Sequence, residues 1–400
     1  MQNTLFTSDN LTILTGLATE SIDLIYIDPP FNSNRLYSGK IDSKASGSTF
    51  NDTWIWSVET ETDLEAILKI NPSLATFIES IQTSNSKSMM SYCTFMTQRI
   101  IEMHRILKDT GSLYLHCDPT ASHYLKIILD YVFGKVNFKN EIVWSYNWGG
   151  RPKDCWSKKH DIILMYAKNK NKMFFDSTCV RIPYKTQIEG RKNPLIDEEK
   201  FNSGQIPTDV WDIPIIHAMS KERTGYPTQK PLALLDRIIK ASCPLGGVVL
   251  DAFCGSATTL ISANQLKRYW IGIDIEHKSL KLLIDRLKMY SSDSVNDFIH
   301  RTEVPQRTDL SLITLDVKAA VFKAIKDNLS KYIKTLDLNE NKSIIELGAD
   351  EISSIELSMD FQNMFGVSIN ESSIESLTLI KLVHYINNEL MEKACRKSLC

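Results

Sequence analysis

Gly247-Val248-Val249-Leu250-Asp251, running directly into Ala252-Phe253-Cys254-Gly255-Ser256-Ala257-Thr258-Thr259, is the stretch on which the fold turns. The first five residues form an apolar run of strand length, and the small residues after them allow close backbone approach to a ligand. The pattern of Leu260-Ile261-Ser262-Ala263-Asn264-Gln265-Leu266 predicts a helix, whose N-terminus would present amide groups to a ligand carboxylate. Tyr269-Trp270-Ile271-Gly272-Ile273-Asp274 follows as a second strand that ends in an acid. In a nucleotide-binding β-α-β unit, an acid at that tip accepts hydrogen bonds from ribose hydroxyls.

A second informative loop lies far upstream, where the apolar run Ile25-Tyr26-Ile27 gives way to Asp28-Pro29-Pro30-Phe31. Two successive prolines stiffen the loop and withhold two backbone donors, which leaves neighbouring carbonyls free to accept from a substrate amine. The ring of Phe31 offers a stacking face. A carboxylate, a free carbonyl and an aromatic face suit the exocyclic amino group of a flipped nucleobase. Asp-Pro-Pro alone is also an ordinary turn, so this reading depends on an accompanying cofactor site.

Together these segments resemble the DNA amino-methyltransferases that use S-adenosylmethionine, in the permuted beta-class order with the catalytic loop ahead of the cofactor loop. The resemblance spans about residues 1 to 290. It implies that Asp28, Pro29, Pro30 and Phe31 form the catalytic loop, and that Asp251, Phe253, Gly255 and Asp274 bind the cofactor. Asp9, in Phe6-Thr7-Ser8-Asp9-Asn10, inherits a contact to the cofactor adenine. Thr228 and Lys230, in Gly225-Tyr226-Pro227-Thr228-Gln229-Lys230-Pro231, inherit a place beside its methionine end. The implied fold is α/β: a Rossmann-like methyltransferase with a mixed, mostly parallel seven-stranded sheet.

The cofactor loop departs from the family pattern twice, and the catalytic loop once. Ala252 stands where proline is usual and Ala257 where glycine is usual, which implies a less rigid loop with a tighter approach to the cofactor. Phe31 replaces the more usual Tyr and keeps the stacking face. Asp28 favours adenine, because the family's cytosine-N4 enzymes usually carry Ser there. Each residue also has a plain reading: Asp274 as a helix cap, Phe253 as core, Lys230 as a solvated lysine, Asp9 as a turn former.

The 400 residues, 43% hydrophobic and 24% charged, suffice for one large domain and a second small one. No long apolar span or signal peptide stands out, and eight cysteines without close pairing or metal-like spacing point to reduced thiols, a cytoplasmic setting and no metal. A net charge of −2 is unusual for a partner of double-stranded DNA. Local positive charge is available in Arg151-Pro152-Lys153 through Lys158-Lys159, after Trp144 and Trp148, although such a stretch also serves as a solvated hairpin loop. Residues 169–215 are polar and rich in breakers, which suggests an insertion; in the family that place holds target recognition, and Arg181, Lys185, Arg191 and Lys192 are its candidate DNA contacts.

Residues 291–312 read as a linker and 313–392 as a small all-α bundle. The bundle resembles acyl carrier proteins, notably in Glu346-Leu347-Gly348-Ala349-Asp350-Glu351-Ile352 and Phe365-Gly366-Val367-Ser368-Ile369. Glu351 stands where carrier proteins have the serine that receives phosphopantetheine, and a glutamate is no attachment point. An unmodified acidic docking module for an unidentified protein partner is the resulting expectation.

The reading as a whole is a site-specific DNA adenine-N6 methyltransferase. The alternatives are a cytosine-N4 enzyme and a catalytically silent DNA-binding regulator. The family leads one to expect a homodimer and no membrane association. It fits both an orphan enzyme and one with a separate restriction subunit.

Overall fold

The computed structural model describes residues 2–33, 35–147, 150, 152–188, 196–290 and 297–307, and beyond these only scattered positions from 325 to 389, of which 351–367 is the longest run. The chain divides into two compact units, Met1–Gln306 and Arg307–Cys400. Trp148, Arg151, Arg191 and Lys192, half of the expected linker and most of the expected helical bundle lie outside the described residues.

In the first unit the strands are β1 (Asn3–Thr7), β2 (Ile22–Ile27), β3 (Leu36–Ser38), β4 (Thr49–Asn51), β5 (Leu107–Cys117), β6 (Phe138–Ser145), β7 (His160–Ala167), β8 (Val210–Asp212), β9 (Val248–Asp251), β10 (Tyr269–Asp274) and β11 (Phe298–Arg301). The helices are α1 (Asn10–Gly16), α2 (Val58–Ile70), α3 (Pro72–Ser84), α4 (Lys87–Ile106), α5 (Ser122–Leu129), α6 (Lys185–Ile188), α7 (Glu198–Ser203), α8 (Leu232–Ser242), α9 (Thr258–Gln265) and α10 (Lys278–Tyr290). Strands β3 and β4 form a separate hairpin, and the others make a nine-stranded sheet in the order β11-β1-β10-β9-β2-β5-β7-β6-β8. Its pairings are parallel except for β5 with β7 and β7 with β6.

The sheet is therefore mixed and mostly parallel, but with nine strands rather than the expected seven. Short edge strands account for the difference. Phe298–Arg301, inside the stretch expected as linker, pairs with β1, and Phe298 packs 5.7 Å from Trp270. Val210–Asp212, at the end of the expected insertion, pairs with β6, and Trp211 there is buried. Three or four residues carry too little periodicity to announce a strand.

Strand residues alternate between two cores as the pleat requires. Phe6, Ile25, Ile27, Leu250 and Ile273 face a cluster built with α1 to α5, whereas Leu5, Leu24, Tyr26, Val249 and Trp270 face one built with α8 to α10. The helices close by ordinary devices: Ser57, Asn71 and Ser86 cap α2, α3 and α4, each accepting a backbone N–H. No helix among the described residues is long and apolar enough to cross a membrane.

The second unit contains α11 (Glu351–Phe365). Leu357, Phe361, Val367 and Ile369 are buried, as are Ile325, Leu329, Leu382, Val383 and Ile386, so an apolar core is present there. The helix begins at Glu351, whose side chain lies outside the described residues.

Candidate active site

Four neighbouring parallel strands deliver acids to one edge of the sheet. In the order β1, β10, β9, β2, their carboxyl ends lead to Asp9, Asp274, Asp251 and Asp28. Thr7 pairs with Asp274, Gly272 with Asp251 and Ile25 with Leu250, so the loops after these strands leave the sheet at nearly one level. Between β9 and β2 the chain order reverses, which is where open α/β sheets form their ligand crevice. A cavity of about 570 Å³ opens there, of the size that takes a small-molecule ligand.

The cofactor-loop candidates brace one another. Asp251 accepts from the Phe253 N–H at 3.0 Å and the Thr259 hydroxyl at 2.5 Å, which ties β9 to the first turn of α9. Burial pushes its carboxyl up to about 7, against the lowering effect of those two donors. Asp274 accepts from the Gly255 N–H at 2.6 Å and the Glu276 N–H at 2.9 Å, and burial raises its pKa as well. Gly255 has φ +44°, and a Cβ there would lie 3.0 Å from the Tyr226 ring. Ala257 sits at φ +61°, in the left-handed region that costs an alanine about 1–2 kcal/mol, a physical reason for a glycine at this position. Asp9 caps α1 through the Thr12 N–H and pairs with the buried Arg99 at 2.8 Å.

On the other side of the cavity, Asp28 is held by one oxygen only. Its Oδ2 lies 2.5 Å from Lys230 Nζ, while Oδ1 is buried with no hydrogen-bond partner among the described residues. A buried acceptor without a partner calls for a donor, and on a cavity-lining residue a bound ligand can supply it. Lys230 Nζ also reaches the Thr228 carbonyl at 3.4 Å and stands 5.4 Å from the centre of the Phe31 ring. The loop after Pro30 is clasped by Asp52. This buried carboxylate accepts from the N–H groups of Phe31, Asn32 and Ser33 at 3.3, 2.7 and 2.8 Å, the Ser33 hydroxyl at 2.6 Å and the Trp54 indole at 3.2 Å. Asn32 is thereby kept at φ +60°.

The cavity lining is strongly acidic: Asp9, Asp28, Asp52, Asp251, Asp274 and Glu276 against Lys230. Phosphate-bearing nucleotides want the opposite balance, whereas a cationic ligand relieves buried carboxyls whose pKa has been driven up.

A family model for DNA methylases, covering both N6 and N4 enzymes, matches residues 22–285. The chain belongs to the DNA methylase family. It is 30% identical over 300 residues to the DNA adenine methyltransferase YhdJ of Escherichia coli K12, covering 74% of this chain and 85% of that protein. It is 27% identical over 305 residues to the type II methyltransferase M.HpaI of Haemophilus parainfluenzae, covering 75% and 80%. The solved PvuII cytosine-N4-specific DNA methyltransferase is 13% identical, with a TM-score of 0.46 over 75% of this chain and 95% of that one. Enzymes of this family use S-adenosylmethionine.

In the methylase, the structure brings all of Asp9, Asp28, Pro29, Pro30, Phe31, Thr228, Lys230, Asp251, Phe253, Gly255 and Asp274 to the lining of that cavity. Lys230, expected beside the methionine end, is paired with Asp28. Arg181, a candidate DNA contact, donates to the Gly204 carbonyl at 2.6 Å. Reading the sequence alone missed Asp52, Arg99 and Arg286. Arg286 is buried on α10 and donates to the Ser256 carbonyl and the Thr258 hydroxyl, behind the cofactor loop. None of the three sits in a recognisable motif. Only proximity in the fold reveals them.

Proposed function

We propose that this methylase transfers a methyl group from S-adenosylmethionine to the exocyclic N6 of adenine within a specific sequence of double-stranded DNA. The observation that carries this reading is the half-satisfied carboxylate of Asp28, with Oδ2 held by Lys230 and Oδ1 buried without a hydrogen-bond partner among the described residues, on a residue that lines the cavity with Phe31.

The cofactor fits the residues present. Asp274 and the loop from Asp251 to Ser256 would hold it, with Phe253 and Asp9 toward the adenosine, and the acidic lining suits its positive charge. When bound, S-adenosylmethionine supplies an electrophilic methyl group on a sulfonium. Asp28 Oδ1 and the Pro29 carbonyl then accept the two N–H bonds of the adenine amine, which aims the nitrogen lone pair toward the methyl donor. Lys230 holds Oδ2 and so fixes which oxygen faces the amine. Phe31 stacks on the base, and the surplus proton leaves through Oδ1 after transfer. Positioning supplies much of the rate, because the methyl group is already activated.

Long-read modification sequencing of DNA from a methylation-deficient bacterial host expressing the chain, beside Asp28→Ala, tests this. N6-methyladenine at one recurring motif, absent with Asp28→Ala, is the expected result. N4-methylcytosine would move the assignment to the other base, and full activity of Asp28→Ala would refute the site.

We further propose residues 1–290 as the catalytic domain, with target recognition in 169–215, and residues 313–392 as a carrier-protein-like module left unmodified because Glu351 replaces the attachment serine. A mass gain of the intact chain after incubation with coenzyme A and a phosphopantetheinyl transferase would overturn that assignment.

A further inference from the structure

The row of functional residues at the sheet edge continues beyond Asp28, onto strands that no cofactor motif occupies. Strand β5 runs parallel to β2, with Tyr26 opposite Tyr114 and Ile27 opposite Leu115, so His116 is the next residue at the level of Asp28. Strand β7 runs antiparallel to β5, with Ile163 opposite His116 and Ile162 opposite Cys117, which places Asp161 just past the end of the pairing. His116 is completely buried, and both of its ring nitrogens are used. Nδ1 lies 2.9 Å from the Tyr26 hydroxyl and Nε2 lies 3.1 Å from Asp161 Oδ2. The other oxygen of Asp161 accepts the Tyr146 hydroxyl at 3.0 Å. A neutral imidazole satisfies the arrangement, with Nε2–H donated to the carboxylate and Nδ1 accepting from Tyr26.

The imidazole face is packed on Phe31, with 5.9 Å between ring centroids and 23° between planes. Its edges meet Trp144 and Tyr26 in T-shaped contacts at 5.5 and 6.3 Å. Phe31 is thus fixed twice: Asp52 holds its backbone N–H, and His116 carries its ring. Both nitrogens are bonded to groups on other strands, as a buried imidazole requires. Two directional bonds allow the imidazole one orientation, and its plane is passed to the ring stacked on it.

We propose that His116, locked by Asp161 and Tyr26, is a positioning residue that sets the plane of Phe31 and thereby the pose of the target base. The proposal rests on the reading of Asp28 to Phe31 as the base site. His116 is not among the residues that line the cavity.

His116→Phe keeps a flat ring and removes both hydrogen bonds, and steady-state kinetics on cognate duplex beside cofactor calorimetry separates the roles. The expected result is a fall in kcat of about 30- to 300-fold, with KM for DNA and Kd for S-adenosylmethionine within about threefold of wild type, a loss confined to the reacting geometry. Wild-type kcat in His116→Phe overturns the proposal. Should that variant fail to fold, Asp161→Asn decides it: a fall in kcat of about fivefold at unchanged cofactor Kd supports it, and kcat within twofold of wild type overturns it. Asp28→Ala run in parallel keeps the two readings apart, since an active Asp28→Ala refutes the base site itself, whereas an inactive one beside a fully active His116→Phe refutes only the positioning role.

Discussion

Asp52→Asn is the substitution whose effect follows most directly from the geometry. The carboxylate is 1% exposed and serves donors on both oxygens: Phe31 N–H, Ser33 N–H and the Ser33 hydroxyl on Oδ2, Asn32 N–H and the Trp54 indole on Oδ1. An amide retains one acceptor oxygen. Turned to keep the donors of Oδ2, it points its NH2 group at Asn32 N–H and Trp54, and these two donors lose their acceptor. Each buried donor left unpaired costs about 1–3 kcal/mol, or roughly 2–6 kcal/mol for the two. The loop borders the cavity, so water recovers part of this, and roughly 1–2 kcal/mol remains as lost global stability. The larger effect is on the loop itself. Asn32 no longer has a clasp for its positive φ, the Phe31 ring drifts, and about 3 kcal/mol of transition-state positioning is lost, close to a 10²-fold fall in kcat. Single-turnover transfer of a tritiated methyl group to duplex DNA measures the rate, and calorimetry with S-adenosylmethionine measures the untouched half of the site. A rate within threefold of wild type, or a loss of cofactor affinity as large as the loss of rate, would refute the clasp.

Gly255→Ala introduces a Cβ 3.0 Å from the Tyr226 ring at φ +44° and is expected to weaken S-adenosylmethionine about tenfold while kcat at saturation stays within threefold; an unchanged Kd by calorimetry would count against the cofactor-loop assignment. Asp251 predicts a pH dependence of stability. Burial raises its folded pKa to about 7, above the unfolded value of about 4, so the folded state holds the proton more tightly. The contribution is fully present below about pH 4 and is lost as the pH rises through about 7. Thermal melting of the ligand-free protein and of Asp251→Asn from about pH 4 to 8 checks this: the variant's curve should be flatter, and parallel curves would exclude the buried acid as the cause.

Much of the site was legible in the chain because its residues are adjacent in sequence. Asp28, Pro29, Pro30 and Phe31 share one turn, and Asp251, Phe253 and Gly255 share another, each announced by an apolar run of strand length. Periodicity also showed the alternation of strand and helix that makes the class α/β. It did not show β8 or β11, whose few residues pair only because a longer strand already lies beside them.

The assignment of Lys230 illustrates the boundary between sequence and structure. A motif carries the lysine's neighbours in the chain, and by resemblance these place it beside the methionine end of the cofactor. Its charge goes to the nearest carboxylate in space, and that is Asp28, 202 residues away. Asp52 and His116 had no motif at all, because their roles are to hold Phe31 from two other elements, a hairpin end and a strand end, and such a role leaves no periodic trace. By itself the sequence picked out the loops that line the cavity, since strand, turn and helix signals are local. Only the tertiary structure decided which buried groups aim them, since hydrogen-bond partners and ring contacts are chosen by distance across the sheet.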